Sequence, residues 1–173
     1  MKKLHFFSVV CLLALFVVSL AGCKKEKVNN NGGDGAQTEF VDLGLPSGTK
    51  WKASNETGGY QNVFYTYDEA VSAFGDKLPT KEQFEELKNK CTWEWQSNGS
   101  YKVTGTNGKS IVLPAAGWRD CDGDVYSVGS EGNYWSSAPY DPQYAWFLNF
   151  YSGEVVVDYA WRCGGCAVRL VQK

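Results

Sequence analysis

Histidine is almost missing from this chain. Its 173 residues include a single His, His5, along with one Met and five Pro. His5 lies in an apolar N-terminal stretch that reads as a targeting segment, so the mature protein has no imidazole. That absence excludes histidine general acid–base catalysis, Ser-His-Asp and Cys-His nucleophile pairs, and histidine-held metals. An excess of basic charge is missing too. There are 17 Lys and Arg against 19 Asp and Glu, which leaves no electrostatic footprint for nucleic acid. No Walker-type or dinucleotide-type glycine loop is present, and no internal repeat of 20–50 residues. What the chain has is apolar and aromatic weight. Hydrophobic residues at 43% and aromatics at 15% exclude a disordered polymer, and the length suits one domain.

The N-terminus reads as an address. Lys2 and Lys3 precede an almost continuously apolar stretch over residues 4–20. Leu20-Ala21-Gly22-Cys23 follows, and the chain turns polar at once with Lys24, Lys25, Glu26 and Lys27. A basic start, an apolar centre and a small-residue cleavage site make a secretory signal. The small pair before Cys23 resembles the lipobox of bacterial lipoproteins, which implies cleavage before Cys23, acylation of its thiol and membrane attachment through that lipid. Loss of residues 1–22 leaves 15 basic residues against 19 acidic. Lys24, where some lipoproteins have Asp, resembles Gram-negative lipoproteins sorted onward to the outer membrane, with either face, the cell surface included, left open. Residues 23–38 then form a Lys-, Asn- and Gly-rich tether, and one domain is expected over 39–173.

Within that domain, Phe40–Leu43 alternates as a short strand, Leu45–Gly48 is a turn, and Lys50–Ala53 reads as a second strand with Trp51 inward. The spacing of Ala70, Val71 and Phe74 predicts a short helix over Tyr67–Phe74. A stronger helix follows Pro79, with Thr80 and Gln83 in a capping-box pattern and Phe84, Leu87 and Cys91 on the buried face. After Cys91 the pattern changes to strands at Tyr101–Thr104, Ser110–Ala115, Tyr134–Ser137, Ala145–Phe150, Val155–Tyr159 and Ala167–Val171. Asn107-Gly108 marks a hairpin between the first two. Early helices and late strands predict an α+β fold with two short helices and small antiparallel sheets.

Six segments together resemble a known family. They are Phe40-Val-Asp-Leu-Gly-Leu-Pro-Ser-Gly-Thr-Lys-Trp51, Leu78-Pro-Thr80, Cys91-Thr-Trp93, Leu113-Pro-Ala-Ala-Gly117, Tyr134-Trp-Ser-Ser137 and Ala167-Val-Arg-Leu-Val171. The set is similar to the Fibrobacter succinogenes major paralogous domain and to the variable proteins of diversity-generating retroelements, in register over residues 39–173. The resemblance implies a C-type-lectin-like fold, the class that also contains the formylglycine-generating enzymes, whose motifs are absent here. It also implies a buried framework that displays a binding surface from the C-terminal third.

That third is unusually aromatic. Between Gly117 and Cys166 lie 12 of the chain's 26 aromatic residues. Alternation in Ala145–Phe150 puts Trp146, Leu148 and Phe150 on one face and Phe147 and Asn149 on the other. If the first face is core, Phe147 is displayed. Trp135 and Trp146, within framework motifs, read as core. Tyr140, Tyr144, Tyr151 and Tyr159 among Ser, Gly and Asp have the composition of a recognition surface. In retroelement systems, substitution at template adenines converts Asn codons to Tyr, Asp, Phe, Cys, Gly, Val, Ser or Ala, among others, but not to Trp or Glu. The non-framework positions Asp120, Cys121, Asp124, Tyr126, Tyr140, Tyr144, Phe147, Tyr151, Val156, Asp158, Tyr159, Ala160, Cys163, Gly164 and Cys166 all carry reachable residues. Those fifteen are the expected ligand-binding positions. Glu131, Glu154 and Trp161 are not reachable and are left out.

Cys11 leaves with the signal and Cys23 carries lipid, so Cys91, Cys121, Cys163 and Cys166 remain, with three ways to pair. Cys163-Gly-Gly-Cys166 has thioredoxin-like spacing but lacks the helix that such a site requires, and one close pair is half of a Cys₄ zinc site. Asp120, Asp122, Asp124 and Glu131 match acidic positions of a calcium loop, yet Val125 stands where the loop needs Gly. The Glu-Pro-Asn and Trp-Asn-Asp sugar motifs of calcium-dependent lectins are absent. The expectation is a lipoprotein that binds a protein or glycan on another cell, phage or host, without catalysis, metal or cofactor. The rival expectation is a fixed adhesin or envelope structural protein of the same family.

Overall fold

A computed structural model of the protein describes residues 40–173. The expected signal segment 1–22, the lipidation at Cys23 and the tether to residue 38 lie outside the described residues. In chain order the elements are β1 (Phe40–Asp42), β2 (Lys50–Lys52), α1 (Tyr67–Phe74), a 3-10 turn (Gly75–Lys77), α2 (Lys81–Lys90), β3 (Thr92–Gln96), β4 (Ser100–Thr104), β5 (Ser110–Pro114), β6 (Trp118–Arg119), β7 (Val125–Tyr126), β8 (Glu131–Pro139), β9 (Tyr144–Tyr151), β10 (Glu154–Trp161) and β11 (Val171–Gln172). The fold is α+β.

Both helices start where side chains can satisfy the free backbone donors of a first turn. Thr66 accepts from the Glu69 amide while Glu69 accepts from the Thr66 amide. Thr80 and Gln83 do the same for α2, at 3.2 and 2.8 Å. Gln83 also donates to Thr49 at 2.9 Å inside the protein, joining α2 to the turn before β2. Phe84 and Leu87 of α2 are buried, and the Phe84 ring lies 5.6 Å from that of Trp51.

Three antiparallel sheets and one short hairpin surround the helices. In the first, β2 sits between β1 and β11, with Trp51 paired to Val41 on one side and Val171 on the other. The second is β3-β4-β5 and the third β8-β9-β10. A first core joins Leu43, Trp51, Phe84, Leu87, Val103, Leu113, Tyr134, Leu148, Phe150 and Val171; a second joins Tyr65, Tyr67, Leu78, Trp135, Ala145, Cys166 and Val168. Phe150 is central to the first: its ring stacks on Tyr134 at 5.8 Å and meets Tyr101 edge-on at 5.3 Å. The residue facing Phe150 across the sheet is Gly132, because a Cβ there would run into the phenyl ring.

Arg169, within the last framework motif, is 1% exposed. Its guanidinium donates to the Lys52 and Ala53 carbonyls, the Val112 carbonyl and Asn55 Oδ1 at 2.7–2.8 Å. It therefore ties the end of β2 to β5. Burial pulls its pKa below the usual arginine value, and four short bonds compensate the desolvated charge.

The strand expected over Ala167–Val171 is not a strand along its length. Ala167 makes an isolated bridge to Tyr134, and only Val171–Gln172 joins a sheet. Residues 165–171 are all buried because they pass between the two cores.

Candidate functional site

The sheet β8-β9-β10 organises the C-terminal third. Register puts Tyr144, Trp146, Leu148 and Phe150 on one face with Val155, Val157, Tyr159 and Trp161 opposite them. The other face carries Trp135, Ala145, Phe147 and Asn149 with Val156, Asp158 and Ala160.

On this second face lies a cleft of about 230 Å³. Its base is the sheet, through Glu131, Asn133, Trp135, Phe147 and Ala160. One wall is Trp118–Cys121 of the β6–β7 hairpin. The other is Trp161 and the turn Gly164–Cys166. The walls are covalently joined, since Cys121 and Cys163 form a disulfide with their Cα atoms 5.0 Å apart. They are also joined through the backbone, where Arg119 exchanges hydrogen bonds of 2.9 and 2.7 Å with Gly165. Asp120 holds its wall in shape. Its Oδ1 accepts from the amides of Asp122, Gly123 and Asp124, and its Oδ2 from the Tyr126 hydroxyl. Desolvation opposes ionisation, but these four bonds together hold the carboxyl below its usual range. In return the bond to Asp120 raises the Tyr126 hydroxyl. Tyr126 also lies against Trp118, ring centres 4.9 Å apart.

The polar part of the base is a short chain of amides. Asn149 Nδ2 donates to Glu131 Oε1 at 2.6 Å and to Asn133 Oδ1 at 3.0 Å, and Asn133 donates to the Gly117 carbonyl. Arg119 is turned away from this chain. Its guanidinium lies over the Tyr60 ring at 5.1 Å, and its Nε is sealed from solvent without a hydrogen-bond partner among the described residues.

The opposite face of the same sheet carries an exposed aromatic cluster. Tyr140 and Tyr159 stack at 4.2 Å with rings nearly parallel, Tyr144 lies 4.2 Å from Trp161, and Trp146 meets Tyr140 edge-on. Lys81 of α2 places its ammonium 3.6 Å from the centre of the Trp146 ring. Tyr140, Tyr159 and Trp161 are about half exposed.

The fifteen expected positions therefore divide. Asp120, Cys121, Phe147, Ala160, Gly164 and Cys166 line the cleft, and Val156 and Asp158 lie on its side of β10. Tyr140, Tyr144 and Tyr159 belong to the aromatic cluster on the other face. Asp124 and Tyr126 sit exposed on the β6–β7 hairpin, Tyr151 is exposed at the far end of β9, and Cys163 is exposed in its disulfide. Two burial expectations change. Phe147 is half-buried against Trp135, 6.1 Å between ring centres, and forms cleft base instead of open surface. Trp146, expected in the core beside fully buried Trp135, is half-buried in the exposed cluster.

The cysteines separate as well. Cys166 is 4% exposed within the second core, and burial pushes its thiol well above the usual value, with the Glu131 charge adding to the rise. Cys91 is pushed up to about 11 by burial. Neither has thiolate character, and Cys163 bonds to Cys121, so the Cys163–Cys166 spacing has no chemical meaning here. Among the described residues no group of three or more His, Cys, Asp or Glu is placed to hold a metal ion.

Sequence reasoning missed Glu131 and Trp161. Both were set aside for their codons, although both border the cleft. A second hollow, about 550 Å³, lies along β1 and β11 and is lined by none of the expected positions.

Fold and cleft together define a small α+β domain with a disulfide-braced concavity on one face of its C-terminal sheet. The chain belongs to the family described as Domain of unknown function (DUF8237), whose pattern matches residues 80–171. The match begins at the cap of α2 and takes in every residue of the cleft. No curated protein and no solved structure matches the chain.

Proposed function

We propose that this protein is a lipid-anchored, extracytoplasmic ligand-binding protein that uses the C-terminal third of a C-type-lectin-like domain for recognition and performs no catalysis. The observation that carries the reading is the cleft on β8-β9-β10, into which the chain brings six of fifteen positions singled out from sequence. Aromatic and amide groups form its base, and two braced loops form its walls. Such a surface offers rigid contact area with little ordering cost on binding. The exposed tyrosines around it extend the same composition. The six motifs support kinship with retroelement variable proteins, and the pairing of β2 with both β1 and β11 suits a lectin-like framework closed by its two ends. The lipobox-like segment supports attachment through Cys23 to the outer membrane and display at the cell surface.

A second reading, a fixed adhesin or envelope module that was never diversified, is favoured by a specific observation. Asp120, Cys121, Cys163 and Cys166 are all structurally committed, through four hydrogen bonds, a disulfide and burial. Free substitution at those codons would cost the cleft its walls.

Sequencing the gene and its flanks from one cultured lineage separates the two. The diversified reading expects changes concentrated at displayed positions such as Asp124, Tyr126, Tyr140, Tyr151, Asp158 and Tyr159, beside a reverse transcriptase gene and a template copy. An invariant locus with neither element leaves the fixed module. Metabolic labelling with palmitate tests the anchor; label that persists in Cys23→Ala removes it from the proposal.

A further inference from the structure

Residues 118–163 contain seven acids (Asp120, Asp122, Asp124, Glu131, Asp141, Glu154 and Asp158) against two bases, Arg119 and Arg162. Among the described residues, ion pairs join Lys52 to Glu56, Lys88 to Glu85 and Arg162 to Asp68. None of the seven acids is in one. Both bases are spent within the domain: Arg162 on Asp68 and over the Tyr67 ring, Arg119 over the Tyr60 ring. The surplus of negative charge is therefore uncompensated where the aromatic surface is densest.

Charge and aromatic faces together select for one kind of group, an organic cation on an apolar stem. Ring faces attract ammonium and guanidinium groups, and nearby carboxylates complete the preference. The domain already uses this pairing three times on its own cations, at Lys81 on Trp146, Arg119 on Tyr60 and Arg162 on Tyr67. On the cleft face, Glu131 lies at one edge of the sheet and Asp158 is paired across from Phe147 at the other. A volume of about 230 Å³ admits a single long side chain and excludes a folded element.

We propose that the cleft face docks a basic segment of a protein partner, with a Lys or Arg side chain in the cleft. Its stem lies along Phe147 and its charged head meets Glu131, while Asp158, on the same face at the opposite edge of the sheet, takes a second positive charge of the segment. The inference rests on the ligand-binding reading above and adds to it the chemical class of the partner. The unpaired acids outside the cleft steer the partner's remaining positive charges and set the salt dependence of the encounter.

The test uses the full chain in a nonionic detergent. Its titrants are a synthetic Lys/Arg-bearing peptide, the same peptide with Gln and with Glu at the basic positions, and free spermidine. Calorimetry and tryptophan fluorescence read binding. The basic peptide is expected to bind at least roughly tenfold more tightly than its Gln counterpart and to weaken steeply with salt. Glu131→Gln and Asp158→Asn are each expected to weaken it by roughly three- to tenfold with an unchanged melting temperature. Asp158 is exposed, so its variant remains informative if Glu131→Gln disturbs folding. Equal binding of the basic and Gln peptides, insensitive to salt, overturns the inference and leaves the ligand-binding reading standing. Spermidine binding as tightly as the peptide overturns the protein source in favour of a small amine. If no peptide of any charge reaches the cleft, the inference falls, and the ligand-binding reading is left with a non-peptide ligand.

Discussion

The two ends of β9 share one alternation and meet different fates. Leu148 and Phe150 are fully buried, whereas Tyr144 and Trp146, on the same face, stand in a half-open aromatic cluster. What differs is the cover. Over Phe150 lie Tyr101, Trp93 and Trp95 of β3 and β4, while Trp146 meets the Lys81 ammonium and the exposed rings of Tyr140 and Tyr159. Periodicity assigns a residue to a face, but it does not say whether another layer of the protein reaches that far along it. The packed core is the portion of this face that receives a second layer, and the exposed aromatic cluster is the portion that does not.

The largest expected effect tests this contrast directly. Phe150→Ala should cost about 3–5 kcal/mol of stability in urea unfolding, as expected for a large ring removed from a packed core. Tyr159→Ala, two-fifths exposed, should cost under about 1 kcal/mol. Similar losses from both would mean that the aromatic cluster is load-sharing core.

Next comes the brace between the cleft walls. The Cys121–Cys163 disulfide closes a loop with a sequence separation of 42, worth roughly 4 kcal/mol on chain-entropy grounds. The double Cys121→Ser, Cys163→Ser variant should lose 2–4 kcal/mol on this basis. Thiol counting after denaturation without reductant should find Cys91 and Cys166 free and no others among these four. A further pair of thiols would deny the brace.

Arg169→Lys sharpens the framework side. Lysine keeps the charge but cannot fork to three carbonyls and an amide, so a loss of about 2 kcal/mol is expected. A neutral result would mean that solvent, not the fork, satisfies those carbonyls.

The smallest effect is in the acid limb of stability. The Asp120 carboxyl is held below its ordinary value of 3.8 when folded. The unfolded chain therefore takes up the proton first as pH falls. The stability that Asp120 contributes is full above the unfolded value and is lost as pH drops through the folded one. Melting temperature followed downward from about pH 5 should fall less steeply in Asp120→Asn than in the parent. Identical slopes would mean that the hairpin keeps its shape without that charge.

The sequence disclosed both helices, α1 through the spacing of Ala70, Val71 and Phe74 and α2 through the capping box at Thr80, because these are local signals that need no tertiary partner. Most strands were legible for the same reason, within a residue or two at their ends for the shorter ones. β3 was missed although Thr92–Gln96 alternates polar residues with Trp93 and Trp95, the period-two signal of a half-buried strand. The two-residue strands β6 and β7 are too short to show a period. Cys121–Cys163 was illegible because pairing depends on which loops the fold brings together. Glu131 and Trp161 escaped because codon reachability is a statement about origin, and a cleft is assembled by geometry alone.

Arg169 reaches 117 residues back to the Lys52 carbonyl, and Val171 completes the sheet begun by Trp51. Residues 118–163 are thus enclosed in sequence between two halves of one framework. This nesting acts as a reading-frame proof. A frameshift or premature stop anywhere in that segment removes Arg169 and β11, leaves the carbonyls of β2 and β5 unpaired, and denies the chain its fold. Only messages translated in frame through the whole of that segment yield a folded product. Substitutions at the exposed positions of that segment leave both halves of the framework in place, whereas a frame error eliminates itself.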